Sequence, residues 1–155
     1  MRRRSITFEL PADATTAFDV VHDYANRLNW DAMLSKAVLL DGAKSAAVGV
    51  RSLCVGDWTS GFIPMETEYI SFARGERAAV KLTRGIWFFD RFAASIVHRP
   101  IDLGSSQITY TYAFRLRPRW LSKIVTPLVD RLLAREVRGR LRGLKKYLLV
   151  KSWSR

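Results

Sequence analysis

The amino-acid sequence predicts an α+β fold in which a seven-stranded antiparallel sheet curves around one long C-terminal helix, with two short helices between the first and second strands. Three observations predict this fold class. Short alternating runs are separated by Gly, Asp and Ser, which favours an antiparallel meander because parallel strands need longer crossovers. The final segment has helical spacing of its apolar residues. A twisted sheet also has an apolar concave face, which a terminal helix can cover.

The N-terminal elements follow from periodicity and capping. Apolar and polar residues alternate over residues 6–10, which predicts a strand that ends at Pro11. Asp13 is a favourable N-cap, so a short helix is expected over residues 14–22. A second short helix is expected over residues 24–30.

The remaining elements are six strands and the terminal helix. The strands are predicted over residues 35–41, 48–56, 65–73, 77–84, 88–98 and 107–116. After Pro118 the apolar residues take helical spacing. Pro127 is expected to kink this helix, or to begin its main section near residue 126.

Length and composition indicate one folded domain over residues 1–155, because 48% of the residues are hydrophobic and 12% are aromatic. A single cysteine, Cys54, excludes an intramolecular disulfide and favours a reducing cytoplasm, and it is expected to be a small buried side chain. The basic start lacks the apolar block of an export signal, and no apolar run is long enough to span a membrane. No metal site or cofactor is expected.

The charge is concentrated at the C-terminal end. Residues 115–155 contain thirteen Lys and Arg against two acids, so they carry +11 of the formal net charge of +12. Five of these residues recur at helical spacings and form a basic stripe: Arg131, Arg135, Arg138, Arg142 and Lys145. Three interpretations stay open, in order of preference: a solvated outer face, docking on an anionic membrane surface, and nucleic-acid binding. The last is disfavoured because no aromatic residues interleave with the stripe.

Several short motifs occur in an order that is itself informative. They are Pro11–Phe18, Val20–Tyr24, Asn29–Trp30, Arg117–Trp120 and Arg138–Lys145, with the turn-rich strands between them. In this order the chain resembles the START-like, or Bet v 1-like, helix-grip superfamily (SRPBCC), most closely its polyketide cyclase/dehydrase branch. The resemblance implies a hydrophobic cavity between sheet and helix that holds a lipid, polyketide, quinone or other apolar molecule. It does not imply one chemistry, since members range from carriers to cyclases.

Arg140 is the most informative candidate within such a cavity. It falls on the apolar side of the terminal helix, where a charge is costly unless it is paired. Glu136 lies four residues earlier and can meet it on the helix surface. One interpretation is that Arg140 extends toward a sheet end or pairs structurally with Glu136 or a strand carboxylate. The other is contact with a ligand carboxylate, enolate or phenol. Gly139 and Gly143 are expected to allow close approach of the helix to the sheet.

The candidate site residues combine this helix with the aromatic sheet. Those expected to line the cavity are Trp30, Trp58, Met65, Tyr69, Trp87, Phe89, Arg91, Tyr110, Tyr112, Val137, Arg140 and Leu144. The catalytic candidates are Arg140, Tyr69 and Glu136. By the family's usual pattern, Met65 and Tyr69 face inward, which leaves Glu66 and Glu68 as solvated acids. His22 and Asp23 do not form a dyad, because adjacent residues on a helix point apart.

The functional hypotheses therefore differ in class. The first is a cytoplasmic protein that binds one hydrophobic small molecule, oriented by Arg140 or a tyrosine hydroxyl. The second is a cofactor-independent polyketide cyclase, aromatase or dehydratase. The third is a lipid carrier that docks peripherally on the inner membrane face through its basic helix face.

Overall fold

The structure of the protein is a computed structural model that describes residues 1–154. Its seven strands are β1 (Arg2–Leu10), β2 (Leu34–Leu39), β3 (Arg51–Gly56), β4 (Pro64–Ala73), β5 (Arg77–Arg84), β6 (Phe89–Asp102) and β7 (Ser105–Leu116). The α-helices are α1 (Ala14–His22) and α2 (Arg119–Trp153), and two 3-10 helices cover Tyr24–Asn29 and Trp58–Ser60. This architecture confirms the predicted fold class.

All seven strands form one antiparallel sheet in the order β1-β7-β6-β5-β4-β3-β2. Neighbours in sequence are neighbours in space except for β1, which pairs with β7 along its whole length. The main core lies between this sheet and the two α-helices. On α2 the buried residues Val137, Leu141, Leu144 and Leu148 recur at spacings of three and four, so one face of the helix packs on the sheet.

Most element positions were predictable, and the differences have local causes. β1 begins at Arg2 because the Arg2 and Arg4 side chains bind the carboxylate of Asp130 on α2 and hold the strand's first residues in place. The prediction over 48–56 was too long, because residues 48–50 belong to the turn that precedes β3. The 3-10 helix after β3 was not predicted.

The terminal helix begins directly after Pro118, as expected, and of the two alternatives for Pro127 a main section that starts near residue 126 was wrong. α2 begins at Arg119 and continues through Pro127. A proline in this position removes one helical hydrogen bond, to the carbonyl of Lys123. Lys123 lies on an exposed turn of the helix, where water can replace that donor.

Candidate ligand-binding site

A cavity with a volume of about 170 Å³ lies between the concave face of the sheet and α2. A single water needs roughly 10–15 Å³ on this measure, so the space is sufficient for a guest molecule. One part of the lining is apolar and includes Val80, Phe88, Phe89, Phe92, Ile96, Val129, Leu132, Leu133 and Val137. The polar part includes His22, Tyr24, Arg27, Ser52, Cys54, Thr67, Tyr69, Tyr110, Glu136 and Arg140.

Two glycines on α2 determine what Arg140 meets. A Cβ at Gly143 would lie 2.4 Å from the Trp30 carbonyl oxygen, and one at Gly139 would lie 2.7 Å from Met33 Sδ. Close approach was expected at these glycines, but the partner is the segment between the first 3-10 helix and β2, not the sheet. This contact brings Asp31, which lies within that segment, against Arg140.

Asp31 binds two arginines. Its Oδ2 accepts hydrogen bonds from Arg140 Nε at 2.8 Å and from Arg27 Nε at 3.0 Å. Its Oδ1 accepts from the backbone N–H of Met33 at 3.2 Å. Arg27 also donates to the Val21 carbonyl at 2.9 Å, and its guanidinium lies 4.8 Å from the centre of the Trp30 ring. Asp31, Arg27 and Arg140 form the inner arginine cluster.

Neither expected partner of Arg140 is the one observed. Arg140 does not bind Glu136 or a strand carboxylate within the described chain; it binds Asp31. Burial alone would raise the pKa of Asp31, but the charges of Arg140 and Arg27 outweigh it and hold that pKa below its ordinary value. Three ionised groups therefore leave one positive charge in excess at the cavity wall.

Tyr110 and Glu136 flank this charge. Arg140 Nη1 donates to the Tyr110 hydroxyl at 3.4 Å, and the guanidinium carbon lies 6.0 Å from the centre of the Tyr110 ring. Glu136 lines the cavity, and burial raises the pKa of its carboxyl while the charge of Arg140 lowers it by less. Glu136 is therefore a second acid at the cavity wall, and it forms no ion pair with Arg140 within the described residues.

A hydrogen-bonded chain of three rings continues the polar lining. His22 Nδ1 lies 2.8 Å from the Tyr69 hydroxyl, which lies 3.0 Å from the Tyr24 hydroxyl. Burial lowers the pKa of His22 to about 3 and raises that of Tyr69, so both groups are neutral near pH 7. His22 Nε2 is buried and has no hydrogen-bond partner within residues 1–154. The Tyr24 ring lies 5.7 Å from the Arg27 guanidinium, so this chain adjoins the inner arginine cluster.

The structure places the predicted lining residues in three environments. Seven line the cavity: Met65, Tyr69, Phe89, Tyr110, Tyr112, Val137 and Arg140. Trp30 and Leu144 are buried in the core outside the lining. Trp58, Trp87 and Arg91 are exposed, so their predicted place in the cavity was wrong. The three catalytic candidates, Arg140, Tyr69 and Glu136, all line the cavity.

Local geometry explains the exposed residues. Trp58 lies in the 3-10 helix after β3, and Trp87 lies in the loop before β6, so strand alternation applies to neither. The pairing of β6 with β7 shifts by one residue between Phe89 and Arg91, which turns Phe92 toward the cavity and Arg91 toward solvent.

Glu66, expected to be solvated, is half-buried and binds Arg51 Nη1 at 2.7 Å.

Sequence reasoning missed the residues that join Arg140 and Tyr69 in the inner arginine cluster and the chain of rings, namely His22, Tyr24, Arg27 and Asp31. Arg27 and Asp31 are four residues apart, a spacing at which charged side chains pair on a helix surface. That signal was present, but it is also the usual pattern of a solvated pair. Their burial comes from α2, which packs over them from more than a hundred residues away.

Fold and cavity together define a START-like helix-grip protein, and comparison with known proteins agrees. The chain belongs to the polyketide cyclase/dehydrase and lipid transport family, whose model matches residues 1–149. No curated protein sequence matches the chain. Within the described residues, no group of three His, Cys, Asp or Glu side chains could hold a metal ion, and no helix is long and apolar enough to cross a membrane.

Solved structures show the same fold at low sequence identity. TTHA0849 from Thermus thermophilus superposes with a TM-score of 0.81 at 16% identity, covering 97% of this chain and 99% of its own. The Zhui aromatase/cyclase from Streptomyces sp. R1128 gives 0.80 at 11% identity, with 95% and 93% covered. A START superfamily protein from Mycobacterium smegmatis gives 0.66 at 16% identity, with 92% and 98% covered.

Proposed function

We propose that this protein binds one hydrophobic molecule, polyketide-, lipid- or quinone-like, with an acidic oxygen held against Arg140. The oxygen belongs to a carboxylate, an enolate or a phenolate, and the apolar body lies among the aromatic and aliphatic side chains of the cavity. The observation that supports this is the inner arginine cluster, in which two buried guanidiniums share the single carboxylate of Asp31.

The charge balance favours an anionic guest. A buried charge is strongly unfavourable unless a counter-charge accompanies it, and the cluster has one guanidinium more than it has carboxylates. An oxyanion beside Arg140 and the Tyr110 hydroxyl would restore neutrality and accept charge-assisted hydrogen bonds. The His22 ring, whose Nε2 has no hydrogen-bond partner within the described residues, also lines the cavity.

The apolar lining supplies the remaining affinity. Burial of apolar surface stabilises a complex by about 25 cal/mol per Å² before the entropic cost of association. The Phe88, Phe89 and Phe92 side chains form a wall that suits a flat or extended hydrocarbon. Affinity then comes mainly from this wall, and orientation comes from Arg140.

The test uses a matched pair of probes, dodecanoate and dodecanol, measured by calorimetry with the purified protein. Arg140→Met should weaken dodecanoate binding by about 10- to 100-fold, since charge-assisted hydrogen bonds contribute about 1.5–3 kcal/mol. Dodecanol affinity should change by less than about threefold, because dodecanol has no carboxylate that could pair with the Arg140 guanidinium. Arg138→Met, two residues away on the exposed basic stripe, is the control and should affect neither probe. Equal losses for both probes would show that Arg140 only supports the cavity wall.

A second candidate function is that of a cyclase or dehydratase, which the buried Glu136 carboxyl favours. A poly-β-keto chain held against Arg140 could lose a proton from carbon, form a carbon–carbon bond to a second carbonyl, and then release water. Glu136 would carry the proton, and Arg140 would stabilise the enolate. Turnover of a poly-β-keto thioester that Glu136→Gln and Tyr69→Phe abolish, with affinity retained, would favour this function over binding alone.

A further inference from the structure

Four of the five tryptophans lie on the surface of this protein. Trp58, Trp87, Trp120 and Trp153 are each 66–79% exposed, whereas Trp30 is buried. Tryptophan is usually largely buried, and an exposed apolar patch on a folded domain marks an interaction surface. Three of these four tryptophans, with other exposed apolar side chains, lie in the loop between β3 and β4, the loop between β5 and β6, and the first turns of α2.

These side chains adjoin residues that line the apolar part of the cavity. We call them the apolar rim: Trp58, Phe62, Trp87, Trp120, Ile124 and Leu128. Each part of the rim is next to a lining residue in the sequence. In the two loops, Phe62 precedes the lining residue Ile63, and Trp87 precedes the lining residue Phe88. On the helix, Leu128 lies one turn before the lining residue Leu132. Leu132 lines the cavity and is also exposed, so the cavity reaches the surface beside the rim.

The loop that carries Trp58 and Phe62 is held in position by hydrogen bonds. Asp57 Oδ1 accepts from the backbone N–H groups of Thr59 at 3.0 Å and Ser60 at 3.3 Å. The backbone N–H of Phe62 donates to the Asp57 carbonyl at 3.0 Å, and Phe62 has a left-handed φ of 54°. Bulky residues rarely adopt this conformation, and it keeps the Phe62 ring in solvent.

The second rim loop is tied to the start of α2. Arg117 donates through its backbone N–H to the Phe88 carbonyl at 2.9 Å and through its side chain to the Trp87 carbonyl. Trp120 begins the exposed apolar row of α2 three residues later, followed at intervals of four by Ile124 and Leu128. The first loop lies at the same end of the sheet as the second, because Glu66 near the start of β4 pairs with Arg84 at the end of β5. The rim is therefore built from two neighbouring loops and the start of α2.

On α2, the exposed charge beside the rim is of one sign. The two acids of α2 both point inward, Asp130 into its ion pairs and Glu136 into the cavity. The exposed charges of the helix are therefore all basic. Arg119 and Lys123 flank the rim, and the basic stripe continues the same face of the helix, because Arg131 follows Leu128 by three residues and Ile124 by seven.

We propose that the apolar rim inserts into the surface of an anionic phospholipid bilayer, with the flanking basic side chains on the lipid headgroups and the cavity opening facing the membrane. Tryptophan prefers the membrane interface, and each Lys or Arg adds attraction to acidic lipid. A second copy of this chain would bring two surfaces of the same positive sign together, so charge complementarity favours lipid over self-association. Docking in this orientation would let an apolar guest pass between bilayer and cavity without crossing water.

The experiment measures co-sedimentation with vesicles of phosphatidylcholine alone and of phosphatidylcholine mixed equally with phosphatidylglycerol. The protein should bind the mixed vesicles at least tenfold more tightly, and added salt should weaken this binding. The triple variant Trp58→Ala, Trp87→Ala, Trp120→Ala should lose at least tenfold in affinity for the mixed vesicles. Trp153→Ala removes an equally exposed tryptophan at the far end of α2 and should leave binding unchanged. No cavity ligand is needed, so the result is independent of the proposed function.

Two further measurements keep the outcome decisive. Brominated lipids should quench the tryptophan fluorescence of the unaltered protein, which tests insertion without any substitution. Sedimentation equilibrium without lipid should show a monomer. Equal losses in the Trp153→Ala and triple variants, absence of quenching, or a dimer that only the triple variant dissociates would each overturn the proposal.

Discussion

Two buried aspartates in this protein each bind two arginines, but the arginines differ greatly in their exposure to solvent. Asp31 binds Arg27 and Arg140, and Asp130 binds Arg2 and Arg4. Asp130 also accepts a hydrogen bond from the Tyr112 hydroxyl at 2.7 Å. Each site therefore combines two guanidiniums with one carboxylate and carries one positive charge in excess.

The difference lies in where that excess charge goes. The side chains of Arg2 and Arg4 are 47% and 31% exposed, whereas those of Arg27 and Arg140 are 7% and 13% exposed. Water screens the first pair, so the Asp130 cluster can serve purely to hold α2 against the edge strand β1. The inner arginine cluster is much less exposed to water, and Arg27 and Arg140 line the cavity. The same chemical unit is thus a structural tie at one site and a candidate recognition site at the other.

The largest expected difference between the two clusters appears when the charge of each carboxylate is removed. Asp31→Asn leaves two buried guanidiniums without a counter-charge and should lower the free energy of unfolding by about 3–5 kcal/mol. Asp130→Asn leaves two partly solvated arginines and should lower it by clearly less. Urea denaturation of both variants measures the difference.

A double variant sharpens the first result. Asp31→Asn combined with Arg140→Met removes one of the two uncompensated charges and should regain part of the lost stability. Equal losses for the two single variants, or no recovery in the double variant, would mean that burial does not distinguish the clusters.

A smaller loss of stability is expected from blocking the close approach of α2 to the backbone of Trp30, on which the inner arginine cluster depends. Gly143→Ala places a Cβ 2.4 Å from the Trp30 carbonyl oxygen, which belongs to the backbone and cannot move aside alone. Overpacking of this kind costs about 1–3 kcal/mol, which exceeds the roughly 1 kcal/mol gained in helix propensity. Dodecanoate binding should weaken as well, because the Arg140–Asp31 contact is displaced. Thermal denaturation and calorimetry measure the two effects.

Gly139→Ala is the matched control. Its Cβ would meet the flexible end of the Met33 side chain, which can rotate away. This variant should be neutral or slightly stabilising. If both alanine variants stabilise the protein alike, close packing of α2 on the Trp30 carbonyl does not position Arg140.

A separate effect comes from pH and concerns neither cluster. Burial lowers the pKa of His22 to about 3 and of His98 to about 4, against about 6.5 in an unfolded chain. Between about pH 6.5 and pH 4 the unfolded state binds protons that the folded state does not, so stability falls as pH falls, by about 1.4 kcal/mol per pH unit for each imidazole. The pKa of Glu136 is raised and acts in the opposite direction at the acid end.

Both aspartates stay ionised through this range, because the pKa of Asp31 and of Asp130 is lowered by their arginines. Urea denaturation between about pH 6.5 and pH 5, above the range in which aspartates titrate in the unfolded chain, should therefore give the same slope in Asp130→Asn as in the unaltered protein. His98→Leu should remove about half of the slope. An unchanged slope in His98→Leu would assign the acid sensitivity to other groups.

Sequence reasoning reached the fold because its signals are local. The Asp13 cap fixes the start of α1, whose predicted bounds agree with the structure, and period-two runs located all seven strands. It also placed Arg140 on the inward side of α2, since helical spacing fixes the side on which a residue lies. It failed at Arg91, where a register shift in β6 reverses the alternation, and at Trp58, where an unpredicted 3-10 helix exposes the ring.

By itself, the sequence determined which elements form, which face of the terminal helix is buried, and where the positive charge accumulates, since each depends on residues a few positions apart. The tertiary structure alone decided that Arg140 meets Asp31, that Arg27 shares this carboxylate, and that three surface tryptophans gather beside the cavity. These outcomes depend on chain segments that are distant in sequence and are brought together by packing of α2 on the sheet. The spacing of residues along the chain does not predict that contact.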